Sequence, residues 1–278
     1  MLEQFFLEDV GDHDLSTELL FDQAEQGEVV FIAKEDGIFC GEEIIKTGFH
    51  LLSQENRVEQ YVRDGGQLKQ GEVIAKINGN VKDLLTGERV ILNLIQRMSG
   101  IATLTNRAVE QLKHPKTRIC DTRKTTPGLR MLEKYAVRIG GGFNHRIGLY
   151  DAVMIKDNHI SFAGSITKAV EKVRSQIGHM VKIEVETENA DQVKEAVETG
   201  VDVIMFDNRT PEEIIELVQL VPEWIVTEAS GGITLEHLAS YRNTGVDYIS
   251  LGFLTHSAKA IDISVRVFIT SDKEVLIP

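Results

Sequence analysis

Short runs of alternating hydrophobic and polar residues, separated by glycine signals, occupy the chain between residues 27 and 82. The clearest runs are GEVVFIAKEDGIFCG and NRVEQYVRDGGQLKQGEVIAKINGN. Alternation broken by Asp-Gly and Gly-Gly predicts an antiparallel sheet. Helical periodicity covers 41–53 and 83–112, and the second segment predicts a helix that breaks near Ser99 and Gly100 and then restarts.

From about residue 115 the pattern becomes strand, loop and helix, repeated. This alternation predicts a parallel sheet covered by helices. About six such repeats favour a barrel, although the spacing alone does not distinguish a barrel from an open sheet. The candidate strands are 117–121, 152–156, 181–186, 202–207, 225–229 and 247–251.

An internal repeat places particular residues within that frame. TGVDVIMFDN (199–208) aligns without a gap on TGVDYISLGF (244–253), and LYDAVMIKDN (149–158) fits through its aspartate. Five residues after the aligned aspartates stand Lys156, Asp207 and Gly252. Equivalent positions in βα units lie at the carboxyl ends of the strands, where barrels build their active sites. We therefore expect a site for an anionic, metal-associated ligand at this rim.

Length and charge limit the classes of function. A chain of 278 residues predicts two domains of unequal size. A formal charge of -13 argues against nucleic-acid or membrane-surface binding, although a local basic pocket remains compatible with it. The two cysteines form no metal-binding spacing, and the acidic start does not resemble a signal peptide, so we expect a cytoplasmic protein.

A cluster of cations stands out in this acidic chain. We expect it to form a pocket for carboxylates or phosphates. The alternative is solvated loop charges, against which the flanking glycines 140–142 indicate close backbone approach. A lone histidine here would more often be structural. The cations are Arg123, Lys124, Arg130, His145, Arg146 and Lys156.

Carboxylates and glycine-rich turns follow other strands. Glu184 and Glu186 alternate along one strand and so face the same side. Glu186 with Asp207 can bind sugar hydroxyls or Mg²⁺, the alternative being an ion pair with a barrel lysine. The turns ASGGI (229–233) and SLG (250–252) suit phosphate binding where they open helices.

Taken together, the motifs resemble the quinolinate phosphoribosyltransferase family. The resemblance runs through EDVGDHDLSTELL, GERVILNLIQRMSGIAT, DTRKTTPGLR, GGGFNHRIGL, DAVMIKDNHI, IEVET, FDN and EASGGI to LGFLTHSAKAIDIS. It implies an N-terminal α+β sandwich domain over 1–114 and an open α/β barrel of about six or seven strands over 115–261. The tail, 262–278, is expected to pack back on the first domain.

The resemblance also implies a reaction and an assembly. Quinolinate and phosphoribosyl pyrophosphate would give nicotinate mononucleotide, pyrophosphate and CO₂ with Mg²⁺, a step of NAD biosynthesis. A homodimer or higher oligomer is implied, in which Arg89 reaches the neighbouring subunit's site. Without the resemblance, Arg89 would be interpreted as a charge on the surface of a helix, and its spacing alone does not decide between the two.

Site residues follow from the same resemblance. Lys124, Lys156, Glu186 and Asp207 are the implied catalytic residues, and Glu186 and Asp207 are also implied at the metal. Phe253 departs from the family pattern, in which a small residue is expected at this position. The implied substrate-binding residues are Arg89, Thr122, Arg123, Lys124, His145, Arg146, Lys156, Glu186, Asp207, Ser230, Gly231, Gly232, Ser250, Leu251 and Gly252.

Three other interpretations compete. A paralogue of the same fold associated with molybdenum transport shares the GGGFNHR-type segment, whereas RKTTPGLR and GERVILNL favour the biosynthetic enzyme. A Schiff-base aldolase using Lys156 would need a desolvated lysine of lowered pKa. A phosphate-ligand sensor without catalysis is the third.

Overall fold

The structure, a computed structural model, describes residues 1–22 and 24–269. The helices are α1 Leu2–Val10, α2 Leu15–Leu20, α3 Glu42–Leu52, α4 Val81–Leu112, α5 Arg130–Ile139, α6 Asp157–Ala163, α7 Ile166–Arg174, α8 Ala190–Thr199, α9 Pro211–Val218 and α10 Phe253–His256. The strands are β1 Gln26–Ala33, β2 Gly37–Ile38, β3 Arg57–Gln60, β4 Gln67–Leu68, β5 Val73–Asn80, β6 Arg118–Cys120, β7 Val153–Ile155, β8 Ile183–Thr187, β9 Val203–Asp207, β10 Val226–Ser230, β11 Tyr248–Ser250 and β12 Ile263–Ile269.

The chain divides into two compact units. Among the described residues, the first unit contains those up to residue 103 together with 258–269, and residues 104–257 form the second. The division lies inside α4, whereas the sequence interpretation put it after that helix, at residue 114. A change in the hydrophobic pattern shows where a helix ends. It does not show the point along a continuous helix at which the chain passes from one unit to the next.

An antiparallel sheet with the order β12-β1-β5-β3 organises the first unit. Antiparallel pairing of β12 with β1 returns the tail to this unit as far as Ile269, and residues 270–278 of the expected tail lie outside the described residues. Helix α3 buries the apolar face formed by Ile44, Ile45 and Phe49. The ring of Phe49 meets that of Phe31 edge to face at 6.1 Å, which joins helix to sheet in one core.

Helix α4 contradicts the predicted break at Ser99 and Gly100, because it runs unbroken from Val81 to Leu112. Both residues serve packing. The hydroxyl of Ser99 accepts a hydrogen bond from the Cys40 backbone N–H at 3.0 Å. A Cβ at Gly100 would collide with the backbone carbonyl of Lys259, so glycine permits a close approach of the chain here.

Six parallel strands with the order β6-β11-β10-β9-β8-β7 organise the second unit. Strands β7 to β11 lie side by side in chain order, and β11 also pairs with β6, the first strand of the unit. The barrel is open between β6 and β7, which do not pair. A single parallel bridge from Cys120 to Phe143 lies at the β6 edge. The open α/β barrel and all of its candidate strands are thereby confirmed.

The repeated aspartates lie at the amino ends of the strands. The side chain of Asp202 accepts a hydrogen bond from the Ile183 N–H at 2.9 Å, and that of Asp247 accepts one from the Thr227 N–H at 2.8 Å. Each aspartate thereby ties the start of its own strand to the strand that precedes it in the chain. Asp151 differs, because it accepts N–H groups from its own preceding loop. Fixing the amino ends fixes the strand register, which places the residues at the carboxyl ends.

The strand, loop and helix alternation predicts a covering helix between β10 and β11. The segment LEHLASYRNTG (235–245) there forms a 3₁₀ helix over Leu238–Asn243 instead of an α-helix. Across the described part of the chain, the helices are each too short or too polar to cross a bilayer.

Candidate active site

A cavity of about 1020 Å³ opens at the carboxyl ends of the barrel strands. The three rim positions given by the repeat, Lys156, Asp207 and Gly252, all line it. Its other predicted lining residues are Thr122, Arg123, Lys124, His145, Arg146, Glu186, Ser230, Gly231, Gly232 and Ser250.

Five of the six candidate cations line this cavity. The exception is Arg130, whose guanidinium donates to the Thr125 hydroxyl at 2.9 Å and to the Ile147 carbonyl at 3.2 Å. Arg130 begins α5 and fixes the loops on either side of it. The sequence pattern grouped Arg130 with the site cations because a sequence shows where charged residues occur and not which way their side chains point.

Two guanidinium groups, those of Arg123 and Arg146, line the cavity near enough for the charge of one to act on the other. Burial, and then the charge of Arg123, lower the pKa of Arg146. The Nε of Arg123 is buried and has no hydrogen-bond partner among the described residues. Buried donors are almost always paired, so this orphaned N–H together with two like charges indicates a site for an anion.

Acidic groups occupy the opposite part of the rim. Glu186 and Asp207 come from the neighbouring strands β8 and β9, and the Glu186 carboxylate forms an ion pair with the Lys156 ammonium. Burial raises the pKa of Glu186, and Lys156 opposes that shift. The lysine side chain is 43% exposed and ion-paired, which argues against the desolvated amine that a Schiff-base aldolase needs.

A smaller cavity of about 90 Å³ adjoins this acidic edge. Glu186 and Asp207 line it together with Asp157, Glu188 and Gln192. Carboxylate and amide oxygens are the donors that Mg²⁺ and Ca²⁺ prefer. The donor set fits a hard divalent cation.

Beneath the rim, His145 lies between two buried carboxylates. Its Nε2 is 3.1 Å from Glu184 Oε2 and 3.6 Å from Glu228 Oε2. These glutamates stand on β8 and β10, and β9 lies between them, so only an inward-curved sheet lets both reach one ring. The Arg146 N–H donates to Nδ1 at 2.8 Å, which places the ring proton on Nε2, facing the carboxylates.

Opposing effects set the charge of this group. Burial lowers the pKa of His145, but the hydrogen bond to Glu184 and the charge of Glu228 together raise it above its usual value. The Arg146 N–H works against a second proton, because that proton would sit on Nδ1 facing a donor. Burial, and then the charge of Glu184, raise the pKa of Glu228 to about 7.

The raised pKa of Glu228 predicts how stability depends on pH. Its usual value is 4.5, so the folded state holds a proton that the unfolded state has lost between about pH 4.5 and 7, and stability falls as pH rises through that window. Glu228→Gln should remove this loss, on the order of 1–3 kcal/mol. We expect the variant's unfolding midpoint to gain on wild type between pH 5 and pH 8.

The exposed Glu223→Gln variant is the control for this measurement, because it changes the same net charge at the surface. A difference between Glu228→Gln and wild type that stays constant with pH would contradict the shift.

Glycine-rich turns form the third side of the main cavity. Gly231 and Gly232 take positive φ of 89° and 65°, and a Cβ at Gly231 would collide with the Asn208 side chain. Gly252 is the N-cap of the short helix α10, so this turn opens a helix as predicted. The 230–232 turn opens no α-helix, because a loop and the 3₁₀ helix follow it, so no α-helix dipole acts there.

Three other candidates lie differently. Leu251 is buried at 1% exposure and is not one of the residues that line the cavity. Arg89 lies on α4 in the first unit, with a side chain 60% exposed and 3.7 Å from Glu88. Phe253 lines the cavity at the start of α10.

Sequence reasoning missed Glu228 and Asn208 as lining residues. Glu228 stands two positions before Ser230, so the period of the strand gives both the same face, and that signal was present in the sequence. Asn208 directly follows Asp207 and has a φ of 52°, a conformation that the sequence does not reveal.

A parallel α/β barrel that gathers cations, carboxylates and glycine turns around one cavity defines an enzyme for strongly anionic substrates. Family models match both units: "Quinolinate phosphoribosyl transferase, N-terminal domain" over residues 14–99 and the corresponding C-terminal domain over 101–266. The chain belongs to the quinolinate phosphoribosyl transferase family.

Individual relatives agree with the family models. The chain is 55% identical to a probable carboxylating nicotinate-nucleotide pyrophosphorylase of Bacillus subtilis, over 98% of this chain and 94% of that one. It is 44% identical to a decarboxylating quinolinate phosphoribosyltransferase of Nicotiana glauca, over 85% and 72%. The crystal structure of NadC from Streptococcus pyogenes matches with a TM-score of 0.93 and 41% identity, over 96% and 95%.

Proposed function

We propose that this protein transfers the phosphoribosyl group of phosphoribosyl pyrophosphate to quinolinate, with loss of CO₂, giving nicotinate mononucleotide and pyrophosphate for NAD biosynthesis. The observation that carries the proposal is the pair of arginines, Arg123 and Arg146, facing one cavity with an orphaned N–H. Quinolinate has two carboxylates, which two guanidinium groups can each bind in a bidentate manner. The names of the relatives favour this reaction over a molybdenum-transport paralogue.

Binding of the dicarboxylate is assigned to one side of the cavity. Arg123 and Arg146 hold the two carboxylates, and Lys124 adds a point charge between the acid and the sugar donor. His145 lines the pocket beside them, with its two ring nitrogens engaged by the Arg146 N–H and by the buried glutamates. Thr122 and Ser250 contribute hydroxyl-bearing side chains to the lining of the cavity. A bound ring would be held with its nitrogen directed toward the sugar carbon.

Phosphates of the sugar donor are assigned to the glycine turns. Gly231 and Gly232 in the turn and Gly252 at the N-cap of α10 offer backbone N–H groups of residues that carry no side chain of their own. Lys156 supplies a charge on the pyrophosphate side.

Chemistry requires no protein nucleophile, because the pyridine nitrogen attacks the ribose carbon as pyrophosphate leaves. Positive charge develops on the ribose ring in this step, and the carboxylates of Glu186 and Asp207 stabilise it electrostatically while they hold the hydroxyls. After glycosylation the ring is cationic, so it can stabilise the electron pair left on C2 when the 2-carboxylate departs as CO₂. A proton from solvent then forms the new C2–H bond of nicotinate mononucleotide.

Mg²⁺ is the metal we propose for this site, because oxygen donors surround the acidic edge. Glu186 and Asp207 would hold it, either directly or through the sugar donor. When bound, the metal would neutralise charge on the leaving pyrophosphate.

We further propose a homodimer in which Arg89 of one subunit enters the cavity of the other. The side chain of Arg89 is 60% exposed, and its ion pair within the described residues is a long one, 3.7 Å to the adjacent Glu88, so it is held only weakly on its own surface.

The test is to combine protein, Mg²⁺, phosphoribosyl pyrophosphate and quinolinate, and to measure nicotinate mononucleotide and CO₂. Nicotinate in place of quinolinate is the control, since it lacks the carboxylate that leaves. A protein that binds both substrates and forms no nucleotide would be a sensor, and the proposal would be wrong.

Removing one cation should weaken quinolinate binding selectively. Arg146→Ala and Lys124→Ala should each cost about 2 kcal/mol or more, roughly thirtyfold in Kd, because a carboxylate is left unpaired in a half-buried pocket. Titration calorimetry measures this. Arg174→Ala, which removes an exposed arginine that donates to the Thr199 and Gly200 carbonyls, should leave the affinity unchanged. Normal quinolinate affinity in both pocket variants would contradict the assignment.

A further inference from the structure

Directly behind the cationic side of the cavity lies a carboxylate that the reaction does not use. Asp121 follows β6 and is completely buried. Its Oδ1 accepts hydrogen bonds from the Lys134 ammonium at 2.5 Å and from the His145 backbone N–H at 2.8 Å. Its Oδ2 accepts one from the Asn144 side-chain amide at 2.6 Å. Three donors from two different parts of the chain therefore converge on one carboxylate.

The donors are themselves tied to one another. Lys134, on α5, also donates to the His145 carbonyl at 3.0 Å, and its side chain is only 5% exposed. The Asn144 amide also donates to the Lys134 carbonyl at 2.9 Å. The three side chains of Asp121, Lys134 and Asn144, called here the aspartate network, thus join the end of β6, helix α5 and the segment 144–146.

The network lies where the two cationic segments begin. Asp121 directly precedes Thr122, Arg123 and Lys124, and Asn144 directly precedes His145 and Arg146. The backbone is held in the same register, because the Phe143 N–H donates to the Ile119 carbonyl at 2.8 Å and the Asp121 N–H to the Phe143 carbonyl at 3.0 Å. Asp121, Lys134 and Asn144 do not themselves line the cavity. They can therefore affect a bound ligand only through the adjacent residues that do line it.

Stability alone gives little reason for this arrangement. Burial raises the pKa of Asp121, with Lys134 opposing that shift, which is the expected cost of placing a carboxylate in the interior. A buried ion pair is on balance often no more stabilising than apolar residues of the same volume. What it does provide is geometry, since each bond has a fixed length and direction, and a displacement of about 1 Å at a site can cost 100-fold.

We propose that the aspartate network positions the two cationic segments relative to each other and so determines the affinity for the dicarboxylate substrate. The proposal rests on the proposed function, because quinolinate is the ligand that spans both segments. Asp121, Lys134 and Asn144 are positioning residues, which act through Arg123, His145 and Arg146.

Asn144→Ala tests this without leaving a buried charge unpaired, since the Asp121–Lys134 pair remains. We expect the KM for quinolinate to rise about tenfold or more, while the KM for phosphoribosyl pyrophosphate stays within about twofold. The matched control is Asn189→Ala, which removes another asparagine of the same unit whose side chain accepts the Gln192 N–H at 3.0 Å and caps α8. The control should lower the unfolding midpoint and leave both KM values unchanged.

A second variant removes the whole ion pair. Asp121→Asn alone leaves the buried Lys134 uncompensated, so it is combined with Lys134→Met, which keeps the volume and removes the charge. We expect the double variant to fold and to show the same selective rise in KM. Folded variants of both kinds with a normal KM for quinolinate would overturn the proposal, as would equal rises for both substrates.

Failure of the network and failure of the proposed function are distinguishable. Wild-type protein that does not convert quinolinate contradicts the function. The network is then judged by amide hydrogen exchange at His145 and Arg146, which should accelerate about tenfold in Asn144→Ala because the segment is less firmly held. Unchanged exchange at both amides would overturn the positioning role without reference to turnover.

Discussion

Asp207→Asn should lower kcat by about 100- to 1000-fold while the unfolding midpoint changes by no more than a few degrees. The substitution keeps the size of the side chain and removes the charge that would face the developing positive ribose. Little structure depends on that charge, because the carboxylate accepts its side-chain hydrogen bond from Asn208 beside it, at 2.7 Å. Steady-state kinetics at saturating Mg²⁺ and both substrates, with thermal unfolding of the same samples, measures both quantities.

Strand β9 provides a matched control for this change. Asp202 precedes that strand and accepts the Ile183 N–H, so Asp202→Asn removes the same charge at the amino end of the strand, away from the cavity. We expect near-normal kcat in that variant. If Asp207→Asn also turned over normally, the electrostatic role of Asp207 would be wrong.

The position of Asp207 illustrates how much the sequence alone could predict. Aligned repeats gave Lys156, Asp207 and Gly252 equivalent places, and the structure brings all three to one cavity. The prediction works because a parallel strand has a fixed rise and a period of two, so a constant offset from a fixed aspartate leads to the same edge and the same face. Pattern therefore locates the rim of the site.

What pattern cannot provide is the curvature of the sheet. Glu184 was predicted to face the same side as Glu186. Its partner His145 and the opposing Glu228 come together only because the sheet curves across the intervening strand β9. The same limit applies to Gly100, which reads locally as a helix break and acts in the fold as a point of close chain approach. Long-range contacts decide both cases, and a local pattern contains no information on them.

The proposed sharing of the site between two subunits gives the most demanding prediction. Arg89→Ala and Lys156→Ala should each be nearly inactive as homodimers, since each removes one cation from every site. Mixed under conditions that let subunits exchange, the two variants should regain activity. In a heterodimer one site receives both substitutions, and the other has an intact Arg89 and an intact Lys156.

The size of the recovery follows from the symmetry of a two-fold dimer. Random exchange makes about half of the dimers heterodimers with one intact site of two, so roughly a quarter of wild-type activity is the ceiling. Lys124→Ala mixed with Lys156→Ala is the matched control, because both residues line the same cavity of the same chain and a heterodimer of these variants contains no intact site. That mixture should stay inactive. Subunit exchange is verified with differently tagged chains, and if the first mixture exchanges and stays as inactive as the control, Arg89 acts within its own chain or only as a surface charge.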